Sequence, residues 1–168
     1  MTNTLAALVL EAWQDLDRVL EGLDAETATR QPDGQSAFGW TLAHVTNQVD
    51  SWINVQFQGR SPHPLIGAPE FRAGSAGAAT DWDAIRTGVD DVRRAARPYL
   101  EGLTGTDLER LVPYTGSLQP LRAHGLRLRY ALVRIAAHHY FHIGVVACQR
   151  DRLGHAVGDY PGLLAACL

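Results

Sequence analysis

No lysine occurs in the 168 residues, so every fixed side-chain positive charge is an arginine. That excludes Schiff-base chemistry and the phosphate-binding lysine of P-loop proteins. With the many alanines and glycines, it reads as GC-rich bacterial coding. Cysteine is nearly absent: Cys148 and Cys167 are the two. They form no disulfide framework and neither sits in a C-x-x-C pair, so a reduced, cytoplasmic setting is expected. Long hydrophobic runs are missing as well. No apolar stretch approaches the ~20 residues needed to span a bilayer. The N-terminus has no basic segment, and Glu11 interrupts its apolar run, so it reads as a helix rather than a signal peptide. Charge of one sign is also lacking. A net charge of -3 without a basic stripe argues against a nucleic-acid or membrane partner.

What is present is an ordinary globular composition, 46% hydrophobic and 20% charged. It is read as a single domain over 1–168, long enough to bury a core. Apolar residues recur at spacings of three and four. Leu5, Val9, Trp13, Leu16, Leu20 and Leu23 predict an amphipathic helix over about Thr4 to Leu23, ended by Gly22 and a polar loop. Trp40, Leu42, Val45, Val49, Trp52, Ile53 and Phe57 predict a second, over about Gly39 to Phe57, with Ser36 as a cap. Trp82, Ile85, Val89, Val92, Ala96, Tyr99 and Leu103 predict a third, its acids early and its arginines late as the helix dipole favours. Pro98 is expected to kink or unwind it. The last helix is expected from Ala123 or Leu126 to Arg152, with Gly154 as its stop, and a short turn in the tail after Pro161. Between helices lie two long connections, 58–80 and 104–121, the second with room for short extended pieces. The fold class is therefore all-α, a four-helix bundle with long crossover connections. A connection as long as 58–80 implies a crossover to a non-adjacent or parallel helix, or a lid.

The chemistry-bearing residues are three of the seven histidines. His138 and His142 lie four apart on the last helix, so both rings share one face, a geometry that suits a divalent metal. His44 lies within the second helix. If the two helices pack together, three imidazoles converge and leave coordination positions open. An H-x-x-x-H pair by itself fits equally a pair of partly buried histidines bonded to backbone or carboxylates. On spacing alone both readings stand.

The stretches Gly39-Trp-Thr-Leu-Ala-His-Val45, followed by Trp52, and Ala137-His-His-Tyr-Phe-His-Ile-Gly144 resemble the second and last helices of the DinB/YfiT-like family. The order of elements agrees over nearly the whole chain. The resemblance implies a bundle that binds a divalent metal, zinc or nickel, through His44, His138 and His142. It also implies hydrolase or thiol S-transferase chemistry on an unknown small-molecule substrate, the latter with a low-molecular-weight thiol as cosubstrate. A homodimer is implied too. The reacting group would be a metal-activated water or thiol, since no catalytic side chain is evident. The alternative is a stress-associated binding or scaffold protein with a structural or vestigial metal.

Two residues depart from the pattern. Val145 stands where many members carry a glutamine. His139 is extra and lies about 100° around the helix from His138, so it is not expected as a ligand. It is left to bond a carboxylate, touch substrate or sit at an interface. Arg134, one turn before His138, reads as a surface arginine, or alternatively as a clamp for an anionic substrate group. Asn47, Gln48 and Ser51 are candidates to support the ligands. Asp50 reads as a solvated charge, Cys148 as a core or interface residue, and the four tryptophans as core. His63, His124 and His155 read as solvated.

Overall fold

The computed structural model describes residues 3–32, 34–155 and 157–165. The helices are α1 (Thr4–Leu20), α2 (Ala25–Thr29), α3 (Phe38–Val49), α4 (Trp82–Glu101), α5 (Gln119–His124) and α6 (Leu128–Arg152). An eight-residue π-helical stretch, Asp50–Phe57, prolongs α3. A short antiparallel pair, β1 (Leu111–Val112) and β2 (Leu126–Arg127), sets Leu111 opposite Arg127. The architecture is all-α, as expected. α1 packs on α6, α6 on α3, α3 on α4 and α4 on α1. The long helices thus close a ring around one core, with Trp13, Leu16, Phe38, Ile53, Leu100, Leu132 and Ile135 almost fully buried in it. Each such side chain contributes about 1.5–3 kcal/mol relative to exposure.

Helix starts follow local chemistry. The Asn3 side chain accepts from the Leu5 N–H at 3.0 Å, Asp24 from Thr27 at 2.7 Å and Asp81 from Ala84 at 2.9 Å, each satisfying a donor the helix leaves orphaned. Ser36 does not cap α3. Ala37 holds that position without a side-chain bond, and its N–H donates to the Gly77 carbonyl at 2.9 Å. α1 ends at Leu20, three residues earlier than expected, and Gly22 turns the chain with φ +74°. Pro98 lies inside α4 without ending it. It sits in the last turn, where the carbonyl left unpaired belongs to the exposed Arg94 and can bond water instead.

The last helix, α6, starts at Leu128, two residues after the later of its expected starts, and a separate short helix, α5, precedes it. α5 stops at Gly125, whose φ of +78° and 2.8 Å approach to the Val112 carbonyl leave no room for a Cβ. β2 then pairs with β1 before α6 begins. α3 and α4 are neighbours, and Gly39 lies by Ile85, Asn54 by Val92 and Gln58 by Ala95. The two therefore run parallel, and the 58–80 connection is the expected crossover to a parallel helix, folding back over α3 on its way. The tail runs against α1, where the Gly162 N–H donates to Asp15 at 2.9 Å. The turn expected there falls partly on residues 166–168, outside the described residues, as does Cys167. One further expectation needs correction. α6 is long and apolar enough, by length and composition, to cross a membrane. Arginines and histidines break its apolar run, so no continuous apolar stretch marks it in the sequence. Its buried side, Leu128, Leu132, Ile135 and Ile143, is a wall of the core.

Candidate metal centre

α3 and α6 pack side by side, and this brings His44 against His138 and His142. The three ring centroids lie 4.9, 5.1 and 4.7 Å apart, with neighbouring planes steeply inclined at 75–82°. One ligand atom from each lies within 4.8 Å of the others. The Nε2 atoms of His138 and His142 face each other at 3.1 Å. Two nitrogens each about 2.0–2.1 Å from one ion, at angles between octahedral and tetrahedral, lie about 2.9–3.4 Å apart. The observed separation falls inside that range. Among the described residues, no fourth His, Cys, Asp or Glu joins the group.

All three rings are neutral at pH 7. Burial pushes His138 down to about 3, helped by the nearby His142, His44 and Arg134. Burial and His44 bring His142 to about 4. Burial also lowers His44. A neutral imidazole is the form that binds metal. The donor set therefore fits a divalent metal ion.

His44 is oriented by its surroundings. Its Nδ1–H donates to the Phe71 carbonyl at 2.7 Å, which turns the Nε2 lone pair toward the other two rings. Trp40 stacks on it with centroids 4.4 Å apart and planes 10° from parallel. The Trp40 indole N–H donates to the Glu70 carbonyl at 2.7 Å and to Ser75 Oγ at 3.0 Å. The 3₁₀ turn Pro69–Phe71, in the middle of the long connection, is thus tied to α3 at the site. Trp40 belongs to the core, as expected, and its inner face also packs on the site. The carbonyl of Phe71 carried no sequence signal, because any residue offers one.

Deeper in the same region the expectation for Asp50 fails. It is 2% exposed. Its carboxylate accepts from the His63 backbone N–H at 2.8 Å and from Asn54 at 3.3 Å. Asn54 and Gln58 continue the polar row to the α4 carbonyls of Val92 and Ala95. This row accompanies the π-helical stretch. His63 is not solvated either. Its Nδ1 accepts the Leu65 and Ile66 N–H groups. His124 and His155 are exposed, as expected, with His124 ending α5.

His139 is none of the three things expected. It is fully buried, and its Nδ1–H donates to the Ile135 carbonyl one turn back at 2.8 Å. It is a core residue. Cys148 is exposed, so the core alternative for it is wrong. Val145 is exposed beyond the histidine pair and lines no wall of the site.

A cavity of about 450 Å³ opens beside His44 and His138. Asn47, Gln48 and Ser51 line it, as do Arg72 and Arg134. None of these bonds a histidine in the trio. Asn47 instead holds the Ile66 carbonyl at 2.7 Å, pinning the connection to α3. A slightly larger cavity, about 490 Å³, lies between α1 and α4 and touches none of the three histidines. Two of its charges, Arg93 and Asp17, pair with each other at 2.7 Å.

Residues 8–146 match the family model of the DinB superfamily. The chain belongs to the DinB superfamily. A DinB-like protein from Bacillus cereus is similar in structure, with a TM-score of 0.57 at 17% identity over 90% of this chain and 94% of that one. That likeness extends to the fold alone. No curated protein matches the sequence.

Proposed function

We propose that this DinB-superfamily chain is a metal-dependent enzyme whose divalent ion, zinc or nickel, is held by His44, His138 and His142. One observation carries the reading. Three neutral imidazoles converge without a fourth protein ligand among the described residues, and two of them, His44 and His138, line a 450 Å³ cavity. Structural sites close their coordination shell with protein, whereas catalytic ones keep a position free. The bound ion would lower the pKa of water or of a low-molecular-weight thiol, the first step of hydrolysis or of thiol S-transfer. The chain's own residues do the rest. The Phe71 carbonyl and the Trp40 ring hold His44 in one tautomer and one orientation. Burial keeps all three ligands unprotonated at neutral pH. The cavity has the size of a small-molecule site.

Elemental analysis tests this. Wild-type protein stripped and titrated with zinc or nickel should hold about one ion per chain, and His44→Ala, His138→Ala and His142→Ala should each lose it while remaining folded. Loss of fold on stripping would favour the structural reading. No specific binding in the wild type would sink the metal reading altogether. The implied homodimer is also carried into this proposal. Tyr130, Val133, Phe141 and Val145 leave one side of α6 apolar and exposed, and Gly144 among them has open space where a Cβ would stand. That stripe is the surface offered to a second copy.

A further inference from the structure

We propose that the substrate of this site carries a carboxylate or phosphate, gripped by Arg72 and Arg134. The inference rests on the cavity being the reaction site, and deepens that reading by naming a substrate class. Both arginines line the cavity that contains His44 and His138. They come from different elements, Arg72 from the connection just after the turn that orients His44, and Arg134 from α6 one turn before His138. Arg134 is close enough for its charge to bear on the His138 ring. Neither has a carboxylate partner among the described residues. Arg72 reaches only the Gly67 carbonyl, at a long 3.4 Å. By contrast Arg18, Arg93, Arg94, Arg97, Arg127 and Arg129 all sit in ion pairs.

The one acid lining the cavity does not neutralise them. Asp50 is buried, and its two oxygens are engaged by the His63 backbone and by Asn54. Two free guanidinium groups beside a neutral histidine trio therefore make one side of the cavity positive. Guanidinium forks match carboxylate and phosphate oxygens in a planar, two-bond geometry. A small anion fits this pair of partners, and an uncharged apolar molecule does not.

The test uses the full chain without metal, so that the metal reading and this one fail separately. Succinate and inorganic phosphate are titrated at constant ionic strength and followed by amide and arginine side-chain chemical shifts, with succinamide as the uncharged control. The wild type should saturate with at least one of the two anions and ignore succinamide. Arg134→Gln and Arg72→Gln should each weaken binding about tenfold, the effect of losing one charge-assisted fork. Arg134→Lys should recover part of it. Arg86→Gln, in the other cavity, should change nothing. Failure to saturate overturns the proposal, as does binding indifferent to both arginines. Binding that appears only after zinc is added, and is lost only in the histidine variants, also overturns it. Such an anion would be a metal ligand and nothing more.

Discussion

Replacing Trp40 with phenylalanine separates the support of the metal centre from its ligands. A phenyl ring at position 40 still covers His44, but the indole N–H is gone. That N–H bridges α3 to the turn carrying Phe71, through Glu70 and Ser75. Ser75 Oγ also donates to the Glu70 carbonyl at 2.6 Å, so the turn keeps its internal bond and loses its anchor to α3. The lost hydrogen bond costs about 1 kcal/mol. The smaller ring leaves a gap at a position 6% exposed, worth about 1 kcal/mol more. Stability should fall by about 2 kcal/mol while the fold survives. Metal affinity should fall further than a remote defect explains, because the Phe71 carbonyl that aims His44 is no longer held. Loss of an outer partner of a metal ligand typically weakens binding about 10–100-fold, and the lower end applies here, because the hydrogen bond from His44 persists. The assay is zinc competition against a chromophoric chelator, beside urea denaturation. Trp13→Phe is the control. Trp13 is equally buried and its indole N–H has no partner. It should lose stability but bind zinc as the wild type does. Zinc affinity within twofold of wild type in Trp40→Phe would refute the reasoning, and equal weakening in Trp13→Phe would do the same.

Acid should destabilise the metal-free protein early. His138 and His142 titrate near 3 and 4 when folded and near the ordinary value of about 6.5 when unfolded. The unfolded chain thus binds more protons between those limits, so stability is fully present above pH 6.5 and declines as pH falls. Urea midpoints at pH 7.5, 6 and 5 should drop in that order; constant midpoints would contradict the burial argument. Gly125→Ala should cost about 1–3 kcal/mol from backbone conformation alone, with more from the 2.8 Å approach to the Val112 carbonyl. A calorimetric or urea measurement showing wild-type stability would count against it. Phe141 is 67% exposed. Phe141→Glu should convert a homodimer to monomers in sedimentation experiments if α6 is the interface, and an unchanged dimer would put the interface elsewhere.

The legible part of this protein was periodic or short-range. Apolar residues three and four apart located the long helices, because an α-helix puts those positions on one face. The His138–His142 pair was legible for the same reason, both ends lying on one helix. Much of what failed depended on a partner far along the chain. Asp50 looks like a surface charge until the connection folds back and presents the His63 N–H. Ser36 has the chemistry of a cap, yet Gly77 occupies that neighbourhood instead. His139 has the chemistry of a ligand, but its register on α6 turns it into the core. Pro98 has the chemistry of a breaker, but it falls in the last turn of α4, where the carbonyl it frees belongs to the exposed Arg94.

The sequence by itself determined the helical class, the family membership and the identity of three histidines able to act together. Those follow from local spacing and from motif residues read along the chain. Only the tertiary structure decided that His44 meets the other two, because that requires α3 and α6 to be neighbours in the ring of helices. It also decided what aims His44. A backbone carbonyl has no residue signature, so the contribution of Phe71 arises solely from where the long connection lands. The same holds for Arg72 and Arg134, which are 62 positions apart in the chain and come together at one cavity only because the connection folds against α6's histidine face.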